Sequence, residues 1–189
     1  MKYLELRKRV KGNVFTFFDV TKFFSAENRQ TIKVQLARFV KKGLIKKIKR
    51  GLYCFDPKLL DELELASCLY QPSYISLETS LNYYGIIPDI PQGVTSVTIT
   101  TTKKISNEFG NFYYAKIKPL LFFGYLKVKS PTSEAFFNLA RKEKALLDYF
   151  YVRKIKKIDD LRLNLKDLNL IRYQEYVKFF PKWVQKIKL

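Results

Sequence analysis

Apolar positions recur with helical spacing at the start of the chain. Tyr3, Leu6 and Val10 share one side of a short helix over 1–10, which Lys11-Gly12-Asn13 breaks. Val14 to Phe18 is apolar and predicts a brief extended segment, and Asp19 to Phe24 a short second helix with Val20, Phe23 and Phe24 inward. The strongest pattern follows. Ile32, Leu36, Phe39 and Val40 stand at i, i+4, i+7 and i+8, one apolar stripe, while Gln30, Val34, Ala37, Arg38 and Lys41 point the other way. Ser25 is the expected N-cap of this helix, Glu27 suits its positive end, and Gly43 suits the left-handed position just past its end. Ile45 to Lys49, a turn at Arg50-Gly51 and Leu52 to Phe55 then predict a basic hairpin. Helix, short helix, turn, longer helix and hairpin is the order of a winged helix-turn-helix, expected over residues 1–57.

The pattern changes after Asp56-Pro57, where an aspartate N-cap and a first-turn proline predict a helix over Lys58 to Tyr70 with Leu59, Leu60, Leu63, Leu65, Ala66 and Leu69 largely buried. Ser76 is placed to cap a helix from Leu77 to Tyr84, closed by Gly85. Strands are expected at Val94 to Thr102, Phe112 to Ile117 and Gly124 to Val128. Thr132 or Ser133 opens an expected helical region running to Tyr151; Asp159-Asp160 suits a short helix cap; Tyr173 to Leu189 predicts a last helix that Pro181 kinks or ends. The fold class expected is α+β, with a mixed helix-and-sheet domain over 58–189 and a basic helical tail.

Composition supports packed domains. Of 189 residues, 47% are hydrophobic and 16% aromatic, enough for a core. No stretch has the roughly 18 apolar residues of a membrane span, and the N-terminus lacks the apolar region of a secretory signal. A soluble cytoplasmic protein, held at the nucleoid by DNA, is expected. Cys54 and Cys68 read as reduced apolar fillers. The net charge of +19 is uneven: residues 1–57 hold 15 Lys/Arg against 4 Asp/Glu, residues 58–150 hold 10 against 9, and residues 151–189 hold 11 against 4. A basic patch on one module is the footprint of a polyanion-binding surface.

The candidate base-reading residues are Asn28, Arg29, Gln30, Thr31, Lys33, Val34 and Arg38, because Asn and Gln pair with adenine edges and Arg with guanine. Lys46, Lys47, Lys49 and Arg50 of the hairpin would neutralise phosphates. The plain alternative is a solvated basic face on an ordinary helix. The basic, aromatic tail has three readings: an amphipathic helix packed on the middle domain, an extension of the DNA surface, or a helix on an anionic membrane. Catalysis has little support. The chain has no histidine, which excludes Ser–His and Cys–His dyads, and no phosphate-binding glycine loop. Glu143 and Asp148 sit among Lys142 and Lys144 in a helix, where i, i+4 pairing is the default. No enzyme, catalytic residue, metal, cofactor or membrane partner is expected. A nucleic-acid-processing protein stays the alternative of another class, and a structural or single-strand-binding protein without operator preference is a third.

Four stretches, KKGLIKKIKRGLYCFDP at 41–57, PSYISLETSLNYYGI at 72–86, VTSVTITTTKK at 94–104 and ARKEKALLDYF at 140–150, together resemble the antitoxins of AbiE-type abortive-infection (type IV toxin–antitoxin) systems. The resemblance covers most of residues 13–150; the tail matches least, and Lys142 stands where the family has a proline. It implies an N-terminal winged helix joined to a C-terminal antitoxin domain. It also implies binding to operator inverted repeats in double-stranded DNA with repression of the protein's own operon. The cognate nucleotidyltransferase-like toxin would be counteracted without a stable complex. A winged-helix regulator without antitoxin activity is the other reading.

Overall fold

The computed structural model describes residues 1–158 and 161–189, so the cap expected at Asp159-Asp160 lies outside the described residues. The fold is mixed α+β, divided into two compact units. The first comprises Met1–Leu69 with Lys129–Phe136, the second Tyr70–Val128 with Phe137–Leu189, so the boundary expected at 57/58 falls inside the first unit.

The first unit runs α1 (Tyr3–Arg9), β1 (Val14–Thr16), α2 (Phe17–Phe23), α3 (Arg29–Lys41), β2 (Lys46–Lys49), β3 (Leu52–Cys54), a 3₁₀ turn (Pro57–Leu59) and α4 (Glu62–Leu69). The three strands form an antiparallel sheet ordered β1-β3-β2. Leu6, Phe15, Val20, Ile32, Leu36 and Ile45 fill its core. Two helix starts differ from expectation for capping reasons. α2 begins at Phe17 because Thr16 and Asp19 make a reciprocal capping box, with the Asp19 amide donating to Thr16 Oγ1 at 3.1 Å and the Thr16 amide to Asp19 Oδ2 at 2.8 Å. Asp56 caps only the 3₁₀ turn; Asp61 Oδ1 takes the amides of Leu63 and Glu64 at 2.7 and 2.9 Å and starts α4 there, leaving Leu59 exposed. Asn13 prolongs the β1–β3 ladder by one rung, its side chain exchanging two hydrogen bonds with the Asp56 backbone at 2.7 and 2.9 Å. Buried Glu64 accepts from the Val14 amide at 3.1 Å and from the Ser133 hydroxyl at 2.7 Å.

The second unit contains β4 (Ser73–Ile75), α5 (Leu77–Tyr83), β5 (Val94–Thr98), β6 (Lys103–Asn107), β7 (Gly110–Lys116), β8 (Tyr125–Lys129), β9 (Phe136–Ala140), α6 (Lys142–Arg153), α7 (Leu170–Val177) and α8 (Lys182–Gln185); β8 and β9 each end one residue inside the first unit. Its six-stranded sheet is ordered β6-β7-β5-β4-β9-β8, with β4/β9 and β5/β7 parallel and β4/β5 and β6/β7 antiparallel. Every residue of β5 is buried. The helix expected from 132 or 133 is instead a turn, a strand and then α6. Ser133 Oγ accepts from the Ala135 amide at 3.1 Å, a local turn, and the buried Phe137 and Leu139 alternate with Phe136 and Asn138 at the two-residue period of a strand. Strands β4 and β6 were not expected at all. In the tail, Asn169 caps α7 by accepting from the Arg172 amide at 2.9 Å, so the helix begins three residues before the expected start at Tyr173. The helical run is divided ahead of Pro181, which precedes α8, in line with the break expected at that proline. Tyr173, Val177, Phe180, Val184 and Ile187 join the core of this unit with Leu81, Leu146 and Phe150, the packed reading of the tail.

That core holds a charged cluster. Lys144, Asp148, Tyr74 and Ser76 are all fully buried. Asp148 Oδ2 accepts from the Tyr74 hydroxyl at 2.8 Å and the Ser76 hydroxyl at 2.9 Å, and its Oδ1 pairs with the Lys144 ammonium, which also donates to the Tyr74 oxygen at 2.8 Å. Ser76 therefore precedes α5 as expected, but its hydroxyl serves Asp148 and not the helix amides.

Candidate nucleic-acid interface

α3 is seated by its apolar stripe. Ile32 and Leu36 are fully buried, Phe39 nearly so, and Tyr3 meets Phe39 edge-on at 5.8 Å. Its N-cap is Asn28 and not Ser25: Asn28 Oδ1 accepts from the Gln30 amide at 2.8 Å. Glu27 accordingly sits in the preceding turn, its amide bonded to the Phe24 carbonyl at 2.9 Å. At the other end Gly43 takes φ +68°, as expected. The Gly43 and Leu44 amides donate to the Val40 and Phe39 carbonyls, both at 3.0 Å, the paired bonds that close a helix and turn the chain directly into β2.

Between these ends, Arg29, Gln30, Thr31, Lys33, Val34 and Arg38 are all exposed. At 100° per residue, Gln30, Val34 and Arg38 lie opposite the buried stripe, with Thr31 and Lys33 on the flanks and Arg29 nearer the packed side. The Lys33 ammonium stands 5.8 Å from the Phe17 ring centre, drawn toward α2. Asn28 is exposed but its oxygen is spent on the cap. α3 and the β2–β3 hairpin contain no Asp or Glu, so neither element sets an acid of its own against its cations.

The hairpin turns at Arg50-Gly51, where Gly51 adopts φ +79° and its carbonyl accepts from the Phe17 amide at 2.8 Å. The pairing Lys47↔Tyr53 and Lys49↔Leu52 skips one residue, a bulge at Ile48 that twists the strand. The four basic residues of the hairpin are not equivalent. Lys47, Lys49 and Arg50 are exposed, Lys46 is half-buried opposite Cys54, and the Lys49 ammonium also donates to the Leu69 carbonyl at the end of α4. That bond holds the Lys49 ammonium at a helix terminus, where cations are favoured.

One pair was missed by sequence reasoning. Phe18 on α2 is exposed, and the Lys22 ammonium stands 4.7 Å from its ring centre. Their i, i+4 spacing was the available signal. Chemically the surface can place planar amide and guanidinium groups and one apolar side chain, Val34, against base edges, and cations against phosphates. Among the described residues, no group of three or more acidic or thiol side chains is placed to hold a metal ion, and no helix is long and apolar enough to cross a membrane. Compared with protein-family models and with curated proteins, the chain matches none.

Proposed function

We propose that the first unit is a winged helix-turn-helix, that α3 enters the major groove of duplex DNA with the β2–β3 hairpin as its wing, and that the protein is a sequence-specific repressor of its own operon. One observation carries this reading: an exposed helix face without acids is followed, through one glycine-closed turn, by a hairpin whose exposed tip is cationic, all within one packed unit. Gln30, Val34 and Arg38 read base edges; Lys47 and Arg50 contact phosphate. The test compares the protein's own promoter duplex with a scrambled duplex. Gln30→Ala costs about 1–3 kcal/mol on the promoter and leaves scrambled DNA unaffected. Lys47→Ala weakens both alike and lowers the salt slope by about 0.9. Equal losses on both duplexes for both variants would sink the base-reading role.

The resemblance to AbiE-type antitoxins supports the second half of the proposal, that the protein also counteracts a nucleotidyltransferase-like toxin encoded beside it. In cells expressing that toxin, a chain carrying Arg38→Glu, unable to repress, still restores growth. Loss of rescue in a folded, expressed Arg38→Glu chain would count against two separable activities.

A further inference from the structure

The second unit is more basic than its sequence position suggested. Residues 70–128 and 137–189 hold 19 Lys/Arg against 9 Asp/Glu, because the lysine-rich tail folds into the same unit as the near-neutral middle of the chain. Part of this charge lines two adjoining hollows. The first, about 500 Å³, lies beside β6 and β7 and is edged by Lys103, Lys104 and Tyr113. The second, about 760 Å³, lies between the end of β7, the C-terminal turn of α6 and α8, and is edged by Lys116, Lys154, Lys156, Tyr151 and Trp183. Thr102, Ala115 and Arg153 line both, so the two form one groove.

The groove combines two kinds of surface. Its rim carries five exposed lysines, and among the described residues none of the five is ion-paired. Among the described residues, the one acid on the lining is Glu78, which Arg153 binds through two hydrogen bonds of 2.6 and 3.0 Å, so it does not oppose the lysines. Its walls carry half-buried aromatic rings. Tyr151 and Trp183 are nearly parallel, 18° apart with centroids at 6.3 Å, and Tyr113 holds the Lys104 ammonium 5.4 Å from its ring centre. A duplex hides its bases and would use only the lysines. A concave groove with ring faces between cations suits a strand whose bases are unstacked and free to lie on those rings.

We propose that this groove binds single-stranded nucleic acid, with Lys103, Lys104, Lys116, Lys154 and Lys156 along the phosphates and Tyr113 and the Tyr151–Trp183 pair as stacking platforms. The site is separate from α3 and the β2–β3 hairpin, and its success or failure is independent of the operator reading.

Trp183 is the single tryptophan of the chain, so its emission reports on this groove alone. Full-length protein is titrated with 12-nucleotide oligo(U), 12-nucleotide oligo(dT) and a 12-base-pair duplex. Saturable quenching by the single strands, with affinity at least tenfold above the duplex, is the expected result, and oligo(U) against oligo(dT) shows whether the 2′-hydroxyl contributes. Two exposed double variants, Lys104→Glu/Lys116→Glu and Lys154→Glu/Lys156→Glu, each weaken single-strand binding tenfold or more and lower the salt slope by about 0.7 for every phosphate no longer neutralised. Both keep the wild-type unfolding midpoint and promoter binding. Absence of quenching, equal quenching by duplex, or single-strand affinity untouched by both double variants in folded protein would overturn the proposal.

Discussion

Lys144 and Asp148 show what a buried charge demands of its surroundings. Burial pushes the Asp148 carboxyl up against the lowering effect of the Lys144 ammonium and the Tyr74 and Ser76 hydroxyls; burial also lowers Lys144, against Asp148. Removing one partner strands the other. Asp148→Ala therefore costs about 3–5 kcal/mol in chemical denaturation. Lys144→Met costs less, because the carboxyl keeps two hydroxyl donors and can take up a proton. In that variant burial still raises the carboxyl and the ammonium no longer opposes it. The folded chain then holds a proton that the unfolded chain releases near pH 3.9, so stability relative to wild type falls as pH rises above about 4. A pH-independent difference would contradict this account. Cys68 is quieter. Burial first, then the Glu64 carboxylate, pushes its thiol up to about 12. At pH 8 about one thiol in ten thousand is ionised. Iodoacetamide at pH 8 is expected to label Cys68 only on unfolding; labelling of native protein within minutes would refute it.

Two glycines with similar φ separate strain from crowding among the elements. Gly43 ends α3 at φ +68° with open space where a side chain would stand, so Gly43→Ala costs backbone strain alone, about 1 kcal/mol. Gly124, at φ +74°, would set a Cβ 3.0 Å from Lys144 Cγ and 3.1 Å from the Tyr176 ring. Gly124→Ala adds overpacking, about 1–3 kcal/mol more. Comparable unfolding midpoints for the two variants would show that the crowded site relaxes. The same elements show where sequence patterns sufficed. The period of Ile32, Leu36 and Phe39 and the glycine after them located α3, since both signals act within a few residues. Its start was misplaced by several residues because Ser25 and Asn28 are both good caps and local chemistry does not choose between them.

On the scale of the whole molecule, the tail is structural. Its buried Tyr173, Val177, Phe180, Val184 and Ile187 remove apolar surface at about 2 kcal/mol per side chain, of the order of the whole stability of a typical domain. Truncation after Asn169 is expected to abolish the near-UV circular dichroism of the second unit's tyrosines and to raise binding of a hydrophobic dye; a truncated chain with native near-UV signal would contradict this. The charge distribution changes with this packing, since the three blocks along the chain become two units, both basic. By itself the sequence determined the order of elements through α3 and its hairpin, the exposed basic face, and the apolar side of the tail, because these follow from periodicity and local capping. Tertiary structure alone decided that Lys49 ties to α4, that Asp148 and Lys144 face Tyr74 some 70 residues away, that 136–140 is a strand, and that distant lysines share one groove. Those outcomes depend on partners far along the chain, and no local pattern encodes which distant segment supplies them.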